Sequence, residues 1–149
     1  MNLFEALQQR RARVLFVCYG NSCRSQMAEA FSRAYGNDVI DAASAGISPA
    51  PRLSRRTRAV IEETGVPFTD CQAPKHIRSL DLNQFDLIVN FSEYGVPKTS
   101  APVLKVPIKD PMGRNTETHR DVRDQVEAFV QFLAERFRSA RKATLAKPA

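Results

Sequence analysis

Residues 13–35 read RVLFVCYGNSCRSQMAEAFSRAY, and the pattern changes once along their length. RVLFVC, residues 13–18, is a continuous apolar run rich in β-branched and aromatic side chains. That is the signature of a strand buried on both faces of a parallel sheet. The run stops at the turn dipeptide Gly20-Asn21. From Ser25 onward, Met27, Ala30, Phe31, Ala34 and Tyr35 recur at helical spacing, and Gly36-Asn37 follows where such a helix ends. The stretch therefore predicts a strand, a tight polar loop and a helix.

The alternation continues outward. Val39 to Ser44 predicts a second strand, followed by a loop from Gly46 to Pro51. Ser54 is placed to cap a helix reaching about Thr64, with Leu53, Thr57, Val60 and Ile61 inward. Gly65 sits where a closing glycine belongs, and Pro67 blocks continuation. Asp70 to Ile77 reads as loop and Ser79 to Phe85 as a short helix. DLIVNF, residues 86–91, predicts another buried strand, and Leu104 to Ile108 the last. A long helix from about His119 to Arg138 carries the stripe Val122, Val126, Phe129, Val130, Leu133 and Phe137. Strands alternating with helices predict an α/β fold with a parallel sheet and helices on both faces.

The bulk numbers agree. With 149 residues and 43% hydrophobic content, the chain has the size and core of one domain. Its formal net charge of +6 implies anionic partners. Three cysteines exclude a disulfide scaffold and fit a reduced, cytoplasmic setting. No apolar run approaches the roughly 20 residues of a membrane span, and residues 1–13 do not read as a signal peptide. No membrane or nucleic-acid partner is expected.

In parallel sheets, ligands sit beyond the carboxyl ends of the strands, which directs attention to Cys18–Ser25, CYGNSCRS. Cys18 and Arg24 have the spacing C-x5-R. A loop between a strand end and a helix start can turn successive backbone N–H groups into one bowl, where they and the helix dipole bind a tetrahedral oxyanion. Arg24 adds a planar fork for two of its oxygens. The same field favours the thiolate of Cys18 under the bowl, placed to attack the bound anion in line. Gly20 and Asn21 suit the unusual dihedrals that crowding of N–H groups requires. Ser25 can donate a hydrogen bond to the sulfur. A nucleotide P-loop is excluded because G-x4-G-K-[ST] is absent. A zinc site at Cys18 and Cys23 lacks partners at usable spacing, since only Cys71, His76 and His119 are on offer.

VLFVCYGNSCRSQMAEA, together with Ser44-Ala45-Gly46, the helix to Gly65, DLIV at 86–89 and Asp110-Pro111, resembles the low-molecular-weight protein tyrosine phosphatases and the arsenate reductases that share their fold. The resemblance covers residues 13–138 and implies a four-stranded parallel sheet flanked by helices. It leaves residues 1–12 as an N-terminal extension, in which Leu3, Phe4 and Leu7 share a face, and residues 139–149 as a basic flexible tail. It implies Cys18 as nucleophile, Arg24 as oxyanion clamp and Asp110 as general acid, then base. Tyr19, Gly20, Asn21, Ser22, Cys23 and Arg24 would surround the substrate, with Asn21, Ser25 and Ser44 bracing the loop. The implied chemistry passes through a phosphocysteine and needs no metal or cofactor.

The branch is less plain. Arsenate reductases with an internal disulfide relay carry cysteines where this chain has Ser92 and, nearby, Thr99, so such a relay is not expected here. Phosphatases carry Asp at the first of these places and tyrosines after Asp-Pro, where this chain has Met112-Gly113. Tyr19 can supply an aromatic wall, while Ser22 and Gln26-Met27 are closer to the reductase spelling. The sequence reading favours a phosphomonoesterase acting on a phosphorylated protein or a small phosphomonoester. An arsenate reductase drawing on an external thiol or glutaredoxin/thioredoxin system is the alternative, and a non-catalytic oxyanion-binding regulator the third reading. Cys23 is expected to pair reversibly with Cys18 under oxidant, and Cys71 to be a packed thiol. Arg52, Arg55, Arg56 and Arg58 form either a solvated helix face or a cationic rim. His76 and His119 read as loop or surface residues without a role.

Overall fold

Both faces of strand β1 (Ala12–Cys18) are apolar, and that fixes its place inside the sheet. In the computed structural model, which describes residues 1–68 and 73–145, β1 lies between β2 (Ile40–Gly46) and β3 (Leu87–Asn90), with β4 (Val103–Lys105) beyond β3. All pairings are parallel, in the order β2-β1-β3-β4. The chain leaves β1 to build β2 on one side and later β3 and β4 on the other. The carboxyl end of β1 is thus the point where the strand order reverses. Cys71 and the end of the expected tail lie outside the described residues.

Alternate residues of β1 enter two cores. Val14, Phe16 and Cys18 join a large cluster with Met27 and Phe31 of α2 (Arg24–Tyr35) and Val126 and Val130 of α4 (Thr116–Leu145). Phe16 stacks on Phe91 with ring centroids 5.9 Å apart, and Phe129 meets Phe91 edge-on. Full burial of such a side chain contributes about 1.5–3 kcal/mol. Helices α1 (Leu3–Gln9) and α3 (Arg55–Glu62) dock on α4 on the same side. Leu15 and Val17 face a smaller cluster with Ile77, Leu82, Ile88 and Ala101. That second face is roofed by two single 3-10 turns, Ile77–Ser79 and Leu82–Gln84, where the sequence predicts one short helix. His76 and Asp81 each take the N–H two residues ahead with their side chains, which favours tight turns over an α-helix.

Other boundaries shift for identifiable reasons. β4 runs over Val103–Lys105 rather than 104–108, since Pro107 cannot donate to the ladder. Asn115 accepts from the Thr118 N–H at 2.9 Å and starts α4 earlier than residue 119. α4 also continues past Arg138 to Leu145, through a region expected to be tail. Arg138 forks onto Asp38, and Arg141 donates to the carbonyls of Leu7 and Arg10, tying the helix to what precedes β1. α1 itself begins with a reciprocal capping box between Asn2 and Glu5. It buries Ala6 and Leu7 while Phe4 stays 46% exposed, so the packed face is turned from the expected Leu3–Phe4–Leu7. His119 is buried in the first turn of α4 rather than at the surface, its Nδ1 bonded to the Asn115 carbonyl at 2.9 Å. Among the described residues no helix is long and apolar enough to cross a membrane.

Candidate active site

The loop between β1 and α2 has its carbonyls tied away. Those of Cys18, Tyr19 and Gly20 accept from the N–H groups of Ile47, Ser48 and Ala50 at 3.2, 2.8 and 2.9 Å. The Asn21 carbonyl accepts from Gln26 Nε2 at 3.1 Å, and that of Ser22 from Thr57 Oγ1 at 2.8 Å. The Cys23 carbonyl accepts from the Met27 N–H inside the helix. The N–H groups from Gly20 to Arg24 take no protein acceptor among the described residues. Cys23, at the N-cap of α2, gives no side-chain cap either. What the loop offers a ligand is therefore donors, at the positive end of a 12-residue helix.

Asn21 holds this shape. It is the one non-glycine residue with positive φ, 49°, among the described residues. Gly20 keeps an ordinary dihedral, contrary to the expectation that both residues would be unusual. The Lys75 N–H donates to Asn21 Oδ1 at 3.0 Å, which orients the amide. Its Nδ2 must then face outward as donor, to Ser25 Oγ at 2.8 Å and Ser44 Oγ at 3.0 Å. With its lone pair so used, the Ser25 hydroxyl has its hydrogen free for Cys18 Sγ, 2.9 Å away. Gly46 permits the close approach of β2: a Cβ there would lie 2.9 Å from both Asn21 N and Tyr19 O.

Arg24 is buried, 4% exposed, and spans to the far strands. Its Nη1 donates to the carbonyls of Phe91 at 3.1 Å and Ile108 at 2.7 Å. Nη2 lies 3.4 Å from Asp110 Oδ2, and Nε makes no hydrogen bond with the described residues. A buried guanidinium edge with a free donor suits an oxyanion. Asp110 is partly exposed, and its other oxygen accepts from the Met112 N–H at 3.0 Å. Met112 Sδ in turn accepts from Ser22 Oγ at 3.6 Å, closing the rim.

Beside this set opens a cleft of about 630 Å³ lined by Tyr19, Arg24, Ser92, Tyr94, Ile108 and Asp110, among others. Tyr19 and Tyr94 face each other across 5.2 Å at a tilt of 41°. Tyr94 has no mark in the sequence, where a single loop tyrosine carries no signal. Its backbone is held by Asn90 Nδ2, which donates to the Tyr94 carbonyl at 2.7 Å, and by Ser92 Oγ, which accepts from the Tyr94 N–H at 3.2 Å. Helical spacing turns Thr57 inward, and its bond to the loop leaves no further trace in the sequence.

Cys23 is 2% exposed, and burial pushes its thiol up to about 12, with the Thr57 hydrogen bond opposing. It is a protonated thiol at neutral pH and a poor nucleophile in this conformation. Both described cysteines are free. Among the described residues no cluster of His, Cys, Asp and Glu could hold a metal ion. Arg52, Arg55 and Arg56 are exposed beside the loop, whereas Arg58 turns over the Phe68 ring, 5.4 Å from its centroid.

The statistical model of the low molecular weight phosphotyrosine protein phosphatase family matches residues 13–99. An arsenate reductase of Brevibacillus brevis is 34% identical over 132 residues, covering 85% of this chain and 97% of its own length. A glutaredoxin arsenate reductase of Synechocystis sp. is 32% identical over 126 residues, covering 81% and 95%. The crystal structure of an arsenate reductase from Archaeoglobus fulgidus superposes with a TM-score of 0.73 at 34% identity, covering 82% of this chain and 98% of that one. These relatives bear reductase names, which turns the choice between branches away from the hydrolase that the sequence reading favours. By fold, by motif and by these likenesses, the chain belongs to the low molecular weight phosphotyrosine protein phosphatase family.

Proposed function

We propose that the protein reduces arsenate with electrons from an external thiol, through a bond between Cys18 and arsenic. The observation that carries this over ester hydrolysis is likeness to arsenate reductases across more than four-fifths of the chain. The loop's donor array and the Arg24 fork support binding of the tetrahedral dianion that arsenate and phosphate share.

In the first step Cys18 attacks arsenic as its thiolate. An S–As bond forms and an As–O bond breaks. The departing oxygen leaves as water with a proton from Asp110, which sits beside the clamp. A donor thiolate then attacks the Cys18 sulfur. An S–S bond forms, the S–As bond breaks, and its electron pair stays on arsenic, which leaves as arsenite. A second donor thiol resolves the mixed disulfide and restores Cys18. Two thiols give up two electrons, and arsenate becomes arsenite plus one water. Cys23, buried and protonated, does not serve as the internal donor.

A phosphomonoesterase is the second reading, and one observation favours it: Tyr19 and Tyr94, packed ring against ring, give the cleft one aromatic wall on which a phenyl ester could stack. There Asp110 protonates the ester oxygen and later draws a proton from the attacking water. A regulator that only binds the oxyanion has no use for an acid beside the clamp.

The test is thiol-coupled arsenate reduction and aryl-phosphate hydrolysis on one preparation. The expected result is arsenate turnover well above hydrolysis. Cys18→Ser abolishes both activities, and Asp110→Asn slows hydrolysis by about 100-fold or more, since the leaving oxygen then departs without its proton. Robust hydrolysis with negligible reduction would falsify the reductase reading, and oxyanion binding with neither activity would leave only the regulator.

A further inference from the structure

Asp110 stands on a turn that little else holds. The Arg114 N–H donates to the Pro111 carbonyl at 2.9 Å and Gly113 takes φ 74°, which closes a β-turn over residues 111–114. The carboxyl of Asp110 is built into it, since one oxygen accepts from the Met112 N–H at 3.0 Å. The other lies 3.4 Å from Arg24 Nη2. Any displacement of the turn therefore displaces the carboxyl. Pro111 is buried, but Met112, Gly113 and Arg114 are exposed, and a Cβ at Gly113 would meet nothing within 4 Å. Among the described residues, two side chains bond to the turn from elsewhere. Ser22 Oγ donates to Met112 Sδ at 3.6 Å, and sulfur is a weak acceptor. Arg56 Nη1 donates to the Arg114 carbonyl.

Arg56 belongs to the first turn of α3, and that turn is fixed to the anion loop. The Ser54 N–H and Thr57 Oγ1 donate to the Ser22 carbonyl at 3.3 and 2.8 Å, and Ser54 Oγ caps the helix by accepting from the Thr57 N–H. Helix dipoles give no reason for a cation in this place. Arg56 stands at the positive end of α3, and Arg114 directly precedes Asn115, which caps α4. No carboxylate compensates it among the described residues, where its one hydrogen bond is the one to the Arg114 carbonyl. Arg56 also lies outside the lining of the cleft that holds Arg24 and Asp110.

We propose that Arg56 is a positioning residue for Asp110. From a helix turn bonded to the anion loop it holds the 111–114 turn, and so sets the carboxyl at the distance from Cys18 at which it can protonate the leaving oxygen. Arg56 itself touches neither the oxyanion nor that oxygen. The proposal rests on the reading of Asp110 as the acid, which serves reduction and hydrolysis alike, and adds to it what keeps the acid in place.

The experiment uses the full chain with Arg56→Ala, Arg56→Lys, Asp110→Asn, the double variant Arg56→Ala/Asp110→Asn, and Arg52→Ala as the control for lost charge. Arg56 is exposed and alanine is a strong helix former, so Arg56→Ala is expected to fold, which thermal unfolding checks. Arsenate reduction is driven by dithiothreitol, and hydrolysis is read on phenyl phosphate and on dinitrophenyl phosphate, whose leaving group needs no proton. For each activity that Asp110→Asn impairs, the expected result is a fall of about tenfold in kcat/KM in Arg56→Ala, because a slightly misplaced acid is costly. Inhibition by inorganic phosphate and turnover of dinitrophenyl phosphate stay unchanged. With Asp110→Asn already present, Arg56→Ala costs nothing more, since it acts through that carboxyl. Arg56→Lys recovers part of the loss, and Arg52→Ala shows none. The methyl NMR signal of Met112, in protein labelled at its methionines, shifts in Arg56→Ala and not in Arg52→Ala. A similar loss in Arg52→Ala, a loss that persists beside Asp110→Asn, an equal loss on dinitrophenyl phosphate, or an unmoved Met112 signal would each overturn the proposal. Activity indifferent to Asp110→Asn would overturn it too, and leave the reductase reading standing. A wild type with neither activity would sink the proposed function instead, while a Met112 signal that shifts in Arg56→Ala alone would still uphold the tie to the turn.

Discussion

In the loop after β1, Asn21, Ser22, Arg24 and Ser25 are at most 4% exposed, and the carbonyls from Cys18 to Cys23 all have partners. The side chains standing above that loop are of another kind. Tyr19, Tyr94, Asp110 and Met112 are between 40 and 55% exposed, held by few side-chain bonds. The loop's form is over-determined: changing one member strands the polar partners of several others. The upper wall is under-determined, and its residues can be exchanged without disturbing the fold. On the function proposed above, the lower part holds the tetrahedral oxyanion and the upper part decides what else comes with it. A shared loop therefore does not separate a hydrolase from a reductase.

The strongest way to break this contrast is at Arg24. Arg24→Lys keeps the charge but loses the fork, and the carbonyls of Phe91 and Ile108 lose their common donor. The expected outcome is a drop of about 100-fold or more in kcat/KM, with a matching loss of phosphate inhibition. A change of only a few-fold would show that the loop's N–H groups suffice and that the clamp is dispensable.

Next comes Gly46→Ala, a single methyl on a residue that touches no substrate. Its Cβ would press on Asn21 N and Tyr19 O, so we expect destabilisation of about 1–3 kcal/mol in denaturant unfolding and weakened phosphate binding. Lost stability with intact phosphate affinity would mean that the loop tolerates displacement. The smallest effect is expected at Tyr94→Ala. Stability should change within about 0.5 kcal/mol. The ratio of aryl-phosphate to arsenate turnover should fall by a few-fold, read from kcat/KM for each. An effect of Arg24 size would place Tyr94 in the over-determined part.

The same division explains how much was legible in the sequence. Strand, loop and helix over residues 13–35 announce themselves, because hydrophobic period, turn dipeptide and C-x5-R spacing are local. The parallel sheet follows from their repetition. The unusual dihedral of Asn21 and the bond from Ser25 to the sulfur follow from the loop's own chemistry, and the bracing role of Asn21, Ser25 and Ser44 from family likeness; the structure sets the Ser25 and Ser44 hydroxyls 2.8 and 3.0 Å from Asn21 Nδ2. Thr57, Lys75 and Tyr94 were not foreseen in these positions, since each joins the site through a contact that leaves no periodic trace. Arg24 was read as a ligand clamp, yet its carbonyl partners lie 67 and 84 residues away. The extension of α4 escaped for a related reason. Its apolar stripe ends at Phe137, and beyond it arginines bonded to distant carbonyls and Asp38 hold the helix in place.

Those arginines have a consequence for how the molecule is made. Ribosomes deliver α1 first, but the surface it docks on belongs to α4, more than a hundred residues later. Arg141 reaches back to the carbonyls of Leu7 and Arg10, and Arg10 in turn grips Asp86 at the entrance to β3. Until α4 is made, the leading helix has only its contact with β1, and α2 alone covers the face of the sheet that it shares with α4. A chain clipped before residue 138 keeps the apolar stripe but loses the bonds to Asp38, Leu7 and Arg10, so the final turns of α4 serve as the latch that holds the first helix shut against the rest.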